Sequence, residues 1–166
     1  MMEVHASILK LLDTAEVQYE QIHHEATPTS EDSARVRGDA LSSGAKAIVY
    51  KVQDEFCLFV CAANHNLDPK LIKTYFKAQG KRVKKTRFAT SEELMQLTGL
   101  IPGSVPPLGR PILDLDLYVD PSLLSNQMIS FNAGSLTDSI KMTLKDYVNI
   151  AKPTVFDFTL KSVVDD

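Results

Sequence analysis

Histidine and cysteine are scarce in this chain of 166 residues, and neither occurs at a spacing that binds metal. The four histidines, His5, His23, His24 and His65, form no HxxxH pair, and Cys57 and Cys61 are not in a CxxC step. No metal and no cofactor are therefore expected. An extended backbone through the apolar run Glu55–Ala63 would put both cysteines on one face, well apart along it, so a disulfide between them is not expected either. Proline and glycine number only eight and seven, too few for a collagenous or low-complexity chain. With 44% hydrophobic and 23% charged residues, disorder is excluded as well. No apolar run approaches the roughly 20 residues that cross a bilayer. Residues 1–5 lack a basic stretch leading into an apolar one, so neither membrane anchor nor signal peptide is expected, and the cytoplasm is the expected location. The length suits one domain, residues 1–166, and there is no internal repeat.

Acidic residues are missing from one segment. The net charge is −3, yet Lys70, Lys73, Lys77, Lys81, Arg82, Lys84, Lys85 and Arg87 follow one another with no Asp or Glu among them. Such a concentration attracts polyanions by releasing their counterions, which points to RNA. The same pattern also describes a solvated helix face followed by an edge strand blunted with lysines.

Apolar residues at helical spacing predict a first helix over 4–16, and a short strand is expected near 18–23. Residues 26–38 have a hydroxyl cap, an acidic first turn, a basic last turn and a terminal glycine, the order that complements a helix dipole. The β-rich runs Lys46–Val52 and Glu55–Ala63, separated by Gln53-Asp54, predict an antiparallel hairpin central to the sheet. Asp68-Pro69 opens the next helix and Gly80 stops it; a strand near Val83–Phe88 and a Thr90–Glu93 capping box follow. Strands are then expected at Leu113–Val119, Met128–Phe131 and Ser139–Met142, a helix at Thr143–Ile150, and a last strand near Thr154–Thr159. Helices alternating with hairpins imply an α/β (α+β) fold with a mixed, mainly antiparallel curved central sheet flanked by helices.

Between Gly99 and Pro111 lie four prolines and three glycines, a loop that can present backbone N–H groups to a ligand or simply link two elements. Lys46, in Gly44-Ala45-Lys46-Ala47, stands at the mouth of an apolar strand, and Phe131-Asn132-Ala133-Gly134-Ser135 ends a strand in small residues.

Six segments occur in one order: Thr29-Ser30-Glu31, the GAKA strand with Lys46, Leu67–Leu71, Phe88–Leu94, the GxxxP loop Gly103–Pro107, and Phe131–Gly134. Through them the chain resembles the YbaK/prolyl-tRNA synthetase-associated domain family, whose members hydrolyse mischarged aminoacyl-tRNAs. The resemblance implies that fold and a pocket for the aminoacylated acceptor end of tRNA. Lys46 would be the catalytic residue there, with Thr29, Ser30, Gly103, Ser104, Val105, Pro106, Pro107, Asn132, Gly134 and Ser135 binding substrate. It implies a trans-editing deacylase acting on tRNA(Pro) charged with a small amino acid of the Ala, Cys, Ser or Thr class. Prolyl-tRNA synthetase is a second candidate partner. Lys73, Lys77, Lys81, Lys84 and Lys85 are the expected tRNA contacts. Ester hydrolysis needs the carbonyl oxygen stabilised as it becomes an oxyanion, which loop N–H groups and an ammonium supply. No Ser-His-Asp or Cys-His pair is evident, so water is the expected nucleophile, assisted by the substrate's own ribose hydroxyl as proposed for relatives. Ser135-Leu136-Thr137 departs from the charged or histidine residues of many relatives, and Asn64-His65 from an acidic turn; His65 is read as a hydrogen-bonded surface histidine first and as a substrate contact second. The competing reading is a tRNA-docking or synthetase-associated factor without turnover. A small-molecule esterase would not need the basic segment.

Overall fold

The computed structural model describes residues 3–27 and 29–160; Pro28, within the segment leading into the expected second helix, lies outside them, as do Met1 and Met2. Helix α1 (Val4–Thr14) buries Ile8 and Leu12, four residues apart on one face. Strand β1 (Tyr19–His23) follows. Helix α2 (Ser30–Arg37) begins where the Asp32 N–H donates to Thr29 Oγ1 at 3.1 Å and ends on Gly38 in the left-handed region. Strands β2 (Ala45–Val52) and β3 (Glu55–Ala62) form the expected antiparallel hairpin. Then come α3 (Pro69–Ala78), β4 (Thr86–Phe88), α4 (Ser91–Thr98), β5 (Leu117–Val119), β6 (Met128–Asn132), β7 (Asp138–Thr143), α5 (Leu144–Ala151) and β8 (Thr154–Val155).

The strands make two ladders. One is antiparallel in the order β1-β7-β6; the other runs β4-β2-β3-β5-β8, with the hairpin at its centre and parallel pairs β3/β5 and β5/β8. A single parallel bridge between Gly44 and Ser130 marks the seam where they meet. Alternation along the hairpin feeds two cores. Val49, Leu58 and Val60 pack with Ile8, Leu12, Ile129, Phe131 and Tyr147 on one face. Tyr50, Cys57, Phe59 and Cys61 pack with Phe76, Tyr118 and Phe158 on the other, where Phe59 stacks on Tyr118 with centroids 5.3 Å apart.

Three expected strands are shorter than their sequence patterns. The run over 113–119 pairs only from Leu117, because residues 109–115 coil back on the Gly109 carbonyl and Arg110 clamps Asp114 and Asp116 at 2.7 and 2.6 Å. Val83 is buried outside any strand; the N–H groups of Lys84 and Lys85 donate instead to the side chain of Gln53 in the hairpin turn. The final strand stops at Val155, since the buried Asp120 carboxylate takes the Phe158 N–H at 2.8 Å and the Thr159 hydroxyl at 3.0 Å.

Candidate active site

Strand β4 pairs only with Tyr50–Val52 of β2. Between that pairing and the Gly44–Ser130 bridge, no strand among the described residues pairs with Lys46–Ile48 on this edge of β2, and a cleft of about 230 Å³ opens beside it. Val49 turns its carbonyl to the β4 side, where it accepts from the Ala89 N–H at 3.1 Å. Strand alternation turns the N–H and C=O of Ala47 to the same edge, past the end of β4. Residues Gly44–Ile48 form this wall; the cap residue Thr29 with Ser30, Ser33 and Arg37 of α2 line the cleft too, and Ala63, Gly103, Val105, Phe131 and Asn132 complete the lining.

The Lys46 ammonium donates to the carbonyl of His65 and, at 3.2 Å, to Asn66 Oδ1. An ammonium has three N–H donors, so these two bonds anchor it and leave a third for a ligand. Asn132 is the hub of a side-chain network. Its Nδ2 donates to the Gly103 carbonyl at 2.8 Å and to Ser33 Oγ at 3.3 Å, while its Oδ1 accepts from Ser139 Oγ at 3.1 Å. The end of β6 thus holds the loop glycine, which sits at φ 89°, a conformation glycine adopts without strain.

Of the residues expected at the site, Lys46, Thr29, Ser30, Gly103, Val105 and Asn132 converge on this cleft. Ser104, Pro106, Pro107, Gly134 and Ser135 lie elsewhere. Ser104 is buried with its hydroxyl on the Ile101 carbonyl, Pro106 and Pro107 are buried beneath the loop, and the Pro107 carbonyl accepts from Tyr147 Oη at 2.6 Å. Gly134 abuts α1, where an added Cβ would come within 2.9 Å of Val4, and Ser135 bonds Thr137 and Asp138. The His65 ring bonds Asn64 Oδ1 at 2.8 Å and is not part of the cleft wall.

Among the basic residues, Lys73, Lys84 and Lys85 line a second, open groove together with Lys51 and Arg87. Lys77 is exposed on α3, and Lys81 lies over the Phe76 ring, 5.3 Å from its centroid. Arg37 and Ser33 are cleft residues that reading the sequence did not single out, and Gly44 and Phe131 were quoted there only as flanks of Lys46 and Asn132. Spacing from Thr29 and Ser30 was the available signal for Ser33, which falls one helical turn further along α2.

Electrostatics separates the groups that can act from those that cannot. Burial pushes the thiols of Cys57 and Cys61 up to about 12, so neither is a thiolate nucleophile at neutral pH. Burial alone would raise the Asp39 carboxyl, but hydrogen bonds from Lys141 and Ser130, with the charges of Lys141 and Arg37, hold it below the usual carboxylate value. Among the described residues no group of three or more His, Cys, Asp or Glu is placed to hold a metal, and no helix is long and apolar enough to cross a membrane.

The chain that builds this cleft has counterparts among known proteins. The sequence profile of the aminoacyl-tRNA editing domain matches residues 24–150. The multifunctional Ser/Thr-tRNA deacylase ProXp-y of Escherichia coli is 31% identical over 160 residues, covering 93% of this chain and 92% of that protein. A proline–tRNA ligase of Macrococcus caseolyticus is 26% identical over 121 residues, which span 72% of this chain but 20% of the ligase. A solved structure, described as a candidate trans-editing enzyme for prolyl-tRNA synthetase, superposes with a TM-score of 0.78 at 21% identity over 97% of this chain and 99% of the other, so the fold is shared. The profile spans both walls of the cleft, and the deacylase aligns over nearly the full length of each protein. On that footing, this chain belongs to the aminoacyl-tRNA editing domain family.

Proposed function

We propose that the protein is a trans-editing deacylase that hydrolyses the ester between a tRNA and a small, hydroxyl-bearing non-cognate amino acid, serine or threonine, with tRNA(Pro) as the acceptor. The observation that carries this reading is the convergence of Lys46, the Gly103 loop and the hydroxyls of Thr29, Ser30 and Ser33 on one cleft of about 230 Å³. That volume suits a small side chain. Thr29 and Ser33 already donate to Asp32 Oδ2 and Thr27 Oγ1, which leaves their oxygens as acceptors and the Ser30 hydroxyl as a partner for a substrate hydroxyl. The editing-domain family and the Ser/Thr-tRNA deacylase relative support the same assignment.

Lys46 places its remaining N–H and its charge beside the ester, where they stabilise negative charge developing on the carbonyl oxygen. The free edge of β2 at Ala47 adds a backbone donor and acceptor to orient the aminoacyl group. With both thiols buried and protonated, water is the nucleophile. The groove of Lys51, Lys73, Lys84, Lys85 and Arg87 takes the phosphates of the acceptor stem, with Lys77 on α3 and Lys81 just beyond its end adding positive charge outside the groove. The reaction would take place in the cytoplasm, where aminoacyl-tRNA is used.

The test is a panel of tRNAs charged with alanine, serine, threonine or cysteine, incubated with the purified protein. Release of serine and threonine faster than alanine is expected. Binding of the charged tRNAs without release of any amino acid would replace the enzyme by a docking factor on the same fold.

A further inference from the structure

Arg37 is the least explained group in the cleft wall. Its side chain keeps 4% of its accessible surface, and its Nη1 has no hydrogen-bond partner. Its Nε donates to the Ser33 carbonyl in the last turn of α2, at 3.0 Å. The carboxylate beside it, Asp39, is already satisfied: Oδ1 accepts from Lys141 Nζ at 2.6 Å and Oδ2 from Ser130 Oγ at 2.8 Å, while Arg37 Nε stands off at 3.9 Å. Two cations thus share one anion, and the wall carries a surplus positive charge. Burial pulls the Arg37 pKa down, with Asp39 opposing it.

A buried guanidinium nitrogen without an acceptor is unfavourable in the free protein and becomes favourable once an anionic oxygen arrives. The guanidinium reaches the start of the cleft's strand wall, Arg37 Nη2 lying 3.7 Å from where a Cβ on Gly44 would stand. We propose that Arg37 is a binding residue of the cleft whose spare guanidinium N–H and uncompensated charge receive an anionic oxygen of the aminoacyl ester ligand. This inference rests on the deacylase reading. Two oxygens have that chemistry: a phosphodiester oxygen next to the terminal ribose, and the carbonyl oxygen as it becomes an oxyanion. An α-ammonium, being positive, is disfavoured at this wall.

The experiment compares wild type with Arg37→Met, which keeps the aliphatic stem and leaves Asp39 on Lys141 and Ser130. The expected result is a Tm equal to or above that of wild type, because a surplus buried charge has gone, together with at least a tenfold fall in kcat/KM on seryl-tRNA. Parallel assays on a seryl-adenosine ester that lacks the phosphodiester separate the two sources. A rise in KM seen only with the tRNA assigns Arg37 to the phosphate; a fall in kcat on both substrates assigns it to the oxyanion. Wild-type kcat and KM in the variant, with a lowered Tm, would reduce Arg37 to a structural clamp and overturn the proposal. Should Arg37→Met not fold, Arg37→Lys keeps a cation near Asp39 but withdraws the forked nitrogens, and wild-type kinetics there overturn the proposal equally. If wild type itself releases no amino acid, it is the deacylase reading that fails; if wild type turns over and the Arg37 variants match it, only this inference does.

Discussion

Lys46 is half-buried, with its ammonium tied to the chain at residues 65 and 66, so its removal takes a charge from the cleft while leaving both cores untouched. Lys46→Ala should lower kcat/KM at least tenfold, about 1.4 kcal/mol of transition-state stabilisation, with a near-native thermal melt. Wild-type turnover in the variant would remove the lysine from the mechanism. The thiols offer a second measurement at this scale. Because burial holds Cys57 and Cys61 at about 12, iodoacetamide at neutral pH should label native protein far more slowly than protein unfolded in guanidinium. Equal rates would show that the second core opens readily. At this scale the sequence exposes much of the cleft: a lysine at a strand mouth, a capping hydroxyl and a glycine-rich loop are local signals. Arg37 was hidden because Arg35 and Arg37 read alike as the basic last turn of α2. Only packing separates them, leaving the Arg35 side chain 65% exposed beside Glu25 and Asp32 and burying the other at the seam.

The loop and α4 act as units. Gly103 at φ 89° accepts from Asn132 through its carbonyl, so Gly103→Val both strains the backbone and disturbs the cleft. Pro111→Ala, outside the cleft lining, should leave activity within a few fold of wild type, whereas Gly103→Val should reduce it by an order of magnitude or more. Equal activities in the two folded variants would argue against a backbone-lined site. Helix α4 opens on a complete capping box, Thr90 Oγ1 accepting from the Glu93 N–H and Glu93 Oε1 accepting from the Thr90 N–H. Hydrogen bonds from Arg87, then from the Thr90 backbone, hold the Glu93 carboxyl down to about 2. A depressed folded value means that the stabilisation is present above the ordinary carboxylate pKa, about 4.3, and is lost as pH falls through about 2. The stability gap between wild type and Glu93→Gln should therefore close over that window in acid melts; a constant gap would assign it to packing. Both caps and the hairpin could be read from sequence. The shortened strands could not, because two of them send backbone bonds to the side chains of Gln53 and Asp120 and the third coils on the Gly109 carbonyl, and residue alternation carries no trace of such substitutions.

Across the whole molecule, charge and reaction are separated in space. The basic groove lies toward the β4 end of β2 and the cleft at the Gly44 end, so affinity for tRNA and turnover should respond to different variants. Lys84→Glu combined with Lys85→Glu should raise KM several-fold and flatten its salt dependence, by roughly 0.7–0.9 in log–log slope for each phosphate no longer neutralised, while kcat holds. An unchanged salt slope would leave the cluster as a solvated face. Fold class was legible at this scale from the alternation of helices and hairpins, but the division into two ladders was not, since it depends on which strand edges meet at a single bridge. That seam has a kinetic consequence. Because the cleft is lined by Gly44 and Ala45 beside one ladder and by Phe131 and Asn132 from the other, a seated ligand spans the boundary between them and adds contacts across a seam that the shared core also bridges. Slowly exchanging backbone amides in β1, β6 and β7 should then become slower still together with those of β2 and β3 when a substrate analogue binds.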